Sequence, residues 1–292
     1  MKPRFRISLT VTAAALAALG AAAWGAATPL SGPSSGQPPR RIVSLNLCAD
    51  QLVLELADRE QIAGLTHNAA NPEMSAVAAR TGGLRILGQS AEEIVAIEPD
   101  LIVGLPARRS GVLAALSGHD YPILNLKPAQ SYDAIVVQIR EVAAALGHPR
   151  RGEALIARMN RDLAALHPQP GHPVAAYYQR RGFMTGTGTL IDDLMGRVGL
   201  RNLAGQLDKS AISQLSLEEL VAARPDYLIV ESATDRVTDQ GTEMLHHPIL
   251  AEIPRLSLPQ AWTVCGGPAY VEAARSLTRQ IAVAGGARAG VR

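Results

Sequence analysis

The sequence predicts an α/β protein of two similar lobes, each built on a parallel sheet, joined by a helical connection. Three observations support this. The 292 residues are 47% hydrophobic and 18% charged, which allows a sizeable core. A segment that begins at Ser90 is repeated at Ser216. Short apolar runs alternate with helical stretches along the chain, a pattern typical of parallel sheets.

The two copies of the repeat read SAEEIVAIEPDLIV and SLEELVAARPDYLI. In each, a serine is suited to cap a short helix, and two glutamates lie in the first turn, where the helix dipole favours negative charge. Pro-Asp then ends the helix and turns the chain. The apolar run after it predicts a strand buried on both faces. A helix–turn–strand unit used twice therefore implies two equivalent lobes.

The other strands and helices of the first lobe and of the connection are predicted as follows, in chain order. In the first lobe, strands are predicted at residues 41–47, 62–66, 101–104 and 122–126, and a helix at 49–57. The connection has helices at residues 131–146 and 150–166, interrupted by Gly147-His148-Pro149.

The second lobe repeats the alternation. Strands are predicted at residues 174–178, 228–230 and 262–264. Thr189 caps one helix, with Asp192 three residues later as in a capping box, and Pro268 begins a final helix that runs to about residue 283. The predicted organisation is a first lobe at 41–128, a helical connection at 129–170 and a second lobe at 171–292.

The first 27 residues are typical of a secretory signal peptide. Lys2, Arg4 and Arg6 precede an apolar, alanine-rich run, and small residues lie between this run and Thr28. The alternative is a short membrane anchor. Residues 28–40 are rich in Pro, Ser and Gly and predict a flexible linker. We therefore expect a periplasmic protein that is released from its leader.

Composition excludes some classes of function. The chain has 28 Lys and Arg against 26 Asp and Glu, which is too balanced for a nucleic-acid binder with a broad basic surface. Two cysteines cannot form a disulfide scaffold, and no zinc-type Cys/His spacing occurs. The chain also lacks G-x-S-x-G, H-E-x-x-H and G-x-x-x-x-G-K-[ST], so an α/β enzyme is a minor alternative.

Three segments carry a family resemblance: RIVSLNLCADQL, the repeated S-x-E-E motif, and MTGTGTLIDDLMGRVGLRNLA. With these segments, residues 40–283 resemble the periplasmic binding proteins of ferric-siderophore and cobalamin ABC importers. The resemblance implies two Rossmann-like lobes joined by a long rigid helix, with a ligand cleft between them. It implies a monomer without a cofactor that delivers a small-molecule metal chelate to a permease in the inner membrane. A secreted sensor or accessory protein for the same ligands is the alternative.

Because ligands bind beyond the carboxyl ends of parallel strands, residues at the predicted strand ends are the candidates for ligand binding. Tyrosine, Phe and Trp side chains offer a stacking surface, and two arginine pairs suit an anionic chelate. A bare metal ion is not expected, because only one histidine of the seven lies at a strand end. The candidates are Asn46, Cys48, His67, Asn68, Arg108, Arg109, Tyr177, Tyr178, Arg180, Arg181, Phe183, Trp262 and Cys265.

Two further pairs of candidate residues have one member in each predicted lobe. Cys48 and Cys265 lie at strand ends in different lobes, and could form a disulfide, contact the ligand or remain inert thiols. The resemblance also implies that one acidic residue on each lobe docks with the permease, and Glu92 and Glu218 match that pattern. The simpler alternative is that both glutamates only stabilise helix N-termini.

Overall fold

The structure is a computed structural model that describes residues 37–88, 90–104, 116 and 118–289. The predicted signal peptide, the linker as far as residue 36, and Arg108 and Arg109 lie outside the described residues. The described chain forms two four-stranded parallel sheets and one two-stranded antiparallel ribbon. In the part of the chain that the structure describes, no helix has the length and hydrophobicity needed to span a membrane.

The first sheet has the strand order β2-β1-β3-β4, with every neighbouring pair parallel. Its strands are β1 Ile42–Ser44, β2 Ile62–Gly64, β3 Leu101–Val103 and β4 Ile123–Leu124. Its helices are α1 Leu47–Leu56 and α2 Ala91–Ile97. Strands β1 and β3 are fully buried, as expected for the centre of a parallel sheet covered on both faces.

The strand predicted at residues 41–47 is shorter in the structure, because Asn46 begins a helix. The Asn46 side chain accepts a hydrogen bond from the Ala49 backbone N–H at 2.9 Å and thereby caps α1. Leu47 is therefore the first residue of a helix rather than the last residue of a strand.

The connection consists of two helices that pack against each other, α3 Tyr132–Ala145 and α4 Pro149–Ala164. The chain reverses at Gly147, whose φ of 82° favours glycine. Pro149 then occupies the first turn of α4, where its missing N–H costs nothing. At Gly152, a Cβ atom would lie 2.6 Å from the Ala143 Cβ, so glycine allows the two helices to approach closely.

The second sheet has the order β10-β9-β5-β7, and it too is parallel. The second half of the molecule is the part built on this sheet, and the first half is the part built on the first sheet. The strands of the second half are β5 Val174–Tyr177, β6 Phe183–Thr185, β7 Arg201–Asn202, β8 Ile212–Gln214, β9 Tyr227–Glu231 and β10 Arg255–Leu258. Strands β6 and β8 form the antiparallel ribbon beside the sheet. The helices are α5 Leu190–Arg197, α6 Leu203–Gln206, α7 Leu217–Ala223, α8 Gln240–Glu243 and α9 Ala269–Ala289.

The strand predicted at residues 262–264 is wrong. The last strand of the sheet is β10, in which Leu256 and Leu258 are buried in register with β9. Pro259 comes directly after β10, and residues Gln260–Trp262 form a single 3-10 turn closed by the Trp262 N–H on the Pro259 carbonyl at 3.0 Å. The apolar residues after Pro259 therefore turn back over the core instead of extending the sheet.

The two copies of the repeat have the same local structure. Ser90 and Ser216 each cap their helix by accepting a hydrogen bond from the backbone N–H three residues later. Both helices also end on a left-handed residue, Glu98 at φ 49° and Arg224 at φ 48°. The two strands after these helices, β3 and β9, each lie inside their sheet.

The aspartate of each Pro-Asp pair accepts hydrogen bonds from backbone N–H groups at the start of the neighbouring strand. Asp100 accepts hydrogen bonds from the backbone N–H groups of Arg40 and Arg41, both at 2.8 Å, where the chain enters β1. Asp226 accepts one from the Val174 N–H at 2.8 Å, where the chain enters β5. The repeat therefore encodes both a helix–strand unit and the position of the adjacent strand.

Candidate functional site

A cavity of about 820 Å³, here called the cleft, lies at the carboxyl ends of strands from both sheets. Asn46–Cys48 lie after β1, and Leu126–Gln130 lie after β4. From the second half, Gln179 lies after β5, and Thr263–Gly266 lie in the loop after β10. This is where open parallel sheets bind ligands, and the volume lies in the range of small-molecule sites.

The polar side chains of the cleft, as far as the structure describes it, are carboxamides, threonine hydroxyls and one lysine. The lining contains Asn46, Gln130, Gln138 and Gln179, together with Thr185, Thr189, Thr263 and Lys127. Several of the amides are already oriented by the protein. Gln130 accepts a hydrogen bond from the Leu190 N–H at 3.3 Å, and Gln179 donates one to Glu231 at 3.1 Å. Amides held in this way present fixed donors and acceptors to a bound molecule.

The apolar part of the cleft comes mainly from the ribbon and from the loop after β10. Phe183 and Ile212, on the two ribbon strands, are 39% and 74% exposed, and Val264 is 38% exposed. These are large hydrophobic side chains that remain open to solvent at one site. A ligand with an apolar surface would cover them.

The cysteines form a disulfide between the two halves, in the wall of the cleft. The Sγ atoms of Cys48 and Cys265 are 2.11 Å apart, and the Cα atoms are 5.3 Å apart. Cys48 lies in the first turn of α1, and Cys265 lies in the loop after β10. Of the three alternatives that the sequence leaves open, the structure has the covalent one.

Two non-covalent contacts also join the second half to the start of the helical connection near the cleft. At Gly266, a Cβ atom would lie 2.6 Å from the Ala129 Cβ, so the backbones meet closely there. In the second contact, the Tyr270 hydroxyl donates to Asp193, and the Tyr132 N–H donates to the same carboxylate at 3.3 Å. With the disulfide, these contacts tie the second half to α1 and to the start of the connection beside the cleft.

Four of the predicted ligand residues line the cleft: Asn46, Cys48, Phe183 and Cys265. His67 and Asn68 lie in a turn after the edge strand β2 and are not in the cleft lining. Arg180 pairs with Asp239, and its neighbour Arg181 is likewise absent from the cleft lining. Arg108 and Arg109 cannot be compared, since they lie outside the described residues.

The predicted aromatic stacking surface is largely internal. Tyr177 and Tyr178 are only 2% and 0% exposed, because β5 lies inside the sheet and both of its faces are covered. The Tyr178 hydroxyl donates to the Leu215 carbonyl at 2.8 Å, and Tyr177 shares a 3.4 Å hydrogen bond with Thr263. Trp262 lines a smaller pocket beside α4 and α9. Of the predicted aromatic residues, Phe183 alone belongs to the cleft lining as far as the structure describes it.

The cleft residues that are absent from the sequence-based candidates include Lys127 and Gln130 after β4, and Ile212 on the ribbon. The sequence could have indicated Lys127 and Gln130, because they follow the strand predicted at residues 122–126. Ligands bind beyond the carboxyl ends of parallel strands, so residues after that strand are candidates. Nothing in the local sequence distinguishes Ile212, whose position depends on ribbon pairing with Thr185.

The two predicted docking residues occupy equivalent surface positions. Glu92 and Glu218 both lie in the first turn of their helices and both are exposed. A hydrogen bond from the Ser90 hydroxyl holds the pKa of Glu92 below its ordinary value, so this carboxylate remains charged.

Beside the cleft, α1 carries a buried carboxyl group. Asp50 is fully buried and accepts hydrogen bonds from the Thr66 hydroxyl and, at 3.0 Å, from the Thr66 N–H. Burial raises the pKa of Asp50 from 3.8 to about 6, although the hydrogen bonds from Thr66 oppose this. The folded protein therefore holds this proton at pH values where the unfolded chain has lost it.

We expect this group to lower stability as the pH rises from about 4 to about 6, because ionising the folded state costs free energy. The shift corresponds to about 3 kcal/mol. Relative to the parent, Asp50→Asn should therefore gain about that much stability between pH 4 and pH 7. Urea unfolding of both proteins across this range measures the gain, and parallel pH profiles would contradict it.

The described residues contain no cluster of three or more His, Cys, Asp or Glu side chains that could hold a metal ion.

Comparisons with known proteins agree with this geometry. The sequence profile of the family described as "Periplasmic binding protein" matches residues 42–255. A curated cobalamin-binding protein from Halobacterium salinarum is 24% identical over 205 residues, which is 68% of this chain but only 56% of that relative. The chain thus spans little more than half the length of this relative.

Solved structures give the same fold. The periplasmic heme-binding protein RhuT from Roseiflexus sp. RS-1, in apo form, is 28% identical with a TM-score of 0.66, covering 82% of this chain and 97% of that one. An ABC-type Fe3+-hydroxamate transport protein from Saccharomonospora viridis is 19% identical with a TM-score of 0.62, covering 84% and 93%. Since the family profile covers most of the chain, this protein belongs to the periplasmic binding protein family, whose members are binding proteins of the periplasm rather than enzymes.

Proposed function

We propose that this protein is the receptor of an ABC importer, which binds a metal chelate in the cleft and delivers it to a permease in the inner membrane. The observation that carries the proposal is the cavity of about 820 Å³ between the carboxyl ends of two parallel sheets. The names of the similar proteins support the ligand class, since cobalamin, heme and ferric hydroxamates are all metal chelates. In this proposal the receptor acts as a monomer after removal of residues 1–27.

Two cargoes fit this proposal, a ferric siderophore and a corrinoid such as cobalamin. The Lys127 ammonium favours an anionic siderophore. The similarity to a cobalamin-binding protein favours the corrinoid. The arginine pairs give less support to an anionic cargo, because Arg180 is paired with Asp239. Visible absorption of protein purified from its native host would identify a bound chelate, and a protein that binds neither class would contradict the proposal.

Permease docking is the second part of the proposal. Glu92 and Glu218 lie on equivalent first turns of α2 and α7, one on each half of the molecule. Each of the two exposed carboxylates can pair with a basic group on one half of a partner with two-fold symmetry, and the two pairs together would fix the orientation of the complex. Neither glutamate is in the cleft lining, so their roles can be separated from ligand binding.

We expect the double variant Glu92→Ala/Glu218→Ala to lower cargo uptake at least about ten-fold, because each charge pair lost at the interface weakens docking. The Kd for the cargo should stay within about two-fold of the parent value, a difference of under 1 kcal/mol. Uptake by cells that carry the permease, and calorimetric titration of the purified receptor, measure the two quantities.

The matched control is Glu93→Ala/Glu219→Ala, which removes the same charge from the adjacent positions. These glutamates are engaged within their own half: Glu93 pairs with Arg85, and Glu219 completes the capping box with Ser216. The control should lose some stability and keep its uptake. If both double variants lost uptake equally, Glu92 and Glu218 would have no special part in docking.

A further inference from the structure

We infer that the cleft binds the chelator and not the metal: the cargo arrives with the coordination sphere of its metal already filled, and the protein supplies no ligand to it. This inference rests on the proposed function and narrows its substrate class. It separates saturated chelates, such as corrinoids and ferric hydroxamates, from heme held by an axial protein side chain.

The first reason concerns sulfur. Thiolates bind heme iron and soft metals strongly, and two cysteines do lie in the cleft wall. Both are consumed by the Cys48–Cys265 disulfide, and a disulfide has no thiolate to donate. In the oxidised protein this donor is therefore removed from the place where it would be most effective.

The second reason concerns tyrosine. Tyr177 ends β5 and Tyr178 follows it, but both side chains are buried. The Tyr178 hydroxyl donates to the Leu215 carbonyl, and the Tyr177 hydroxyl shares a hydrogen bond with Thr263 in the cleft wall. Burial raises the pKa of each to about 12, so neither is ionised near neutral pH. A neutral, buried phenol is a poor ligand for iron.

The third reason concerns histidine, methionine and carboxylate groups. The described residues that line the cleft include no His, Met, Asp or Glu. The internal residues that the structure does not describe, 89, 105–115 and 117, contain no His, Tyr, Met or Cys in the sequence. His67, the histidine that the sequence favours, lies in the turn after the edge strand β2.

The groups that the cleft does provide suit the outside of a chelate. Gln130 and Gln179 are held by Leu190 and Glu231, so they can present oriented amide atoms to carbonyl, carboxamide or hydroxamate oxygens. Phe183 and Ile212 add an apolar wall. These side chains would contact the organic chelator and leave the metal uncoordinated by protein, because none of them is a strong metal ligand.

The test is a titration of the oxidised protein with hemin, cyanocobalamin and a ferric trihydroxamate, monitored by calorimetry and visible absorption. One of the two saturated chelates should bind at least about ten-fold more tightly than hemin, a difference of about 1.4 kcal/mol. Its metal-centred absorption should not change on binding. Tight hemin binding with the spectral change of axial ligation would overturn this inference alone. Failure of all three to bind would overturn the proposed function as well.

Variants make the test independent of which chelate binds. Gln130→Ala and Gln179→Ala should each weaken binding of the preferred chelate about five-fold or more, as expected for loss of one hydrogen bond to the ligand. The matched control His67→Ala should leave its Kd unchanged. Loss of binding in His67→Ala, with a changed absorption spectrum of the bound metal, would show a protein ligand and contradict the inference.

Discussion

Removal of the disulfide in Cys48→Ala/Cys265→Ala is expected to lower the free energy of unfolding by about 2–5 kcal/mol. The two cysteines are 217 residues apart in the sequence, so the bond restricts a very long loop of the unfolded chain. In the folded protein it also joins α1 to the loop after β10 in the wall of the cleft. Loss of the bond should therefore weaken chelate binding in addition to stability.

Reductant provides the internal control for this experiment. A dithiol should lower the thermal midpoint of the parent protein and leave that of the double alanine variant unchanged. Differential scanning calorimetry with and without the dithiol measures both. If the parent and the variant unfolded at the same temperature under oxidising conditions, the bond would contribute nothing to stability.

Gly186→Ala is expected to destabilise the protein by about 3 kcal/mol, through a clash with a neighbouring backbone. A Cβ atom at this position would lie 1.9 Å from the Ser210 carbonyl oxygen. The Gly186 N–H also donates to the Ala211 carbonyl at 2.8 Å, beside the ribbon. Because Ala211 and Ile212 line the cleft, the displacement should weaken chelate binding as well.

Gly196→Ala is the matched control, since it adds the same methyl group elsewhere in the second half. Gly196 lies within α5, and a Cβ atom there would meet nothing within 4 Å. This variant should gain about 0.5–1 kcal/mol, because alanine favours the helix. Chemical unfolding of both variants measures the contrast, and equal effects at the two glycines would contradict the clash.

The architecture can be predicted from the sequence because its determinants are local. The serine caps and the Pro-Asp turns are encoded within each repeat, and the structure has them in both copies. The strand at residues 262–264 is mispredicted because an apolar run after Pro259 does not reveal that β10 has already ended. The predicted boundaries at 41–128, 129–170 and 171–292 stay a prediction.

The cleft is harder to predict because its residues depend on contacts between distant segments. The strand-end rule finds Asn46 and Cys48, which lie just after β1. It cannot show that Arg180 turns toward Asp239, 59 residues away. Nor can it show that Tyr177 at the end of β5 and Tyr178 directly after it are both buried, because that depends on neighbouring segments on each face of the sheet.

The position of the disulfide has a consequence for when the receptor becomes competent. If the protein is exported as proposed, a newly made chain in the reducing cytoplasm would keep two separate thiols and would lack this covalent link in the cleft wall. Under that proposal, oxidation after export would form the link. The covalent form of the cleft would then exist only in the compartment where the proposed receptor meets its cargo.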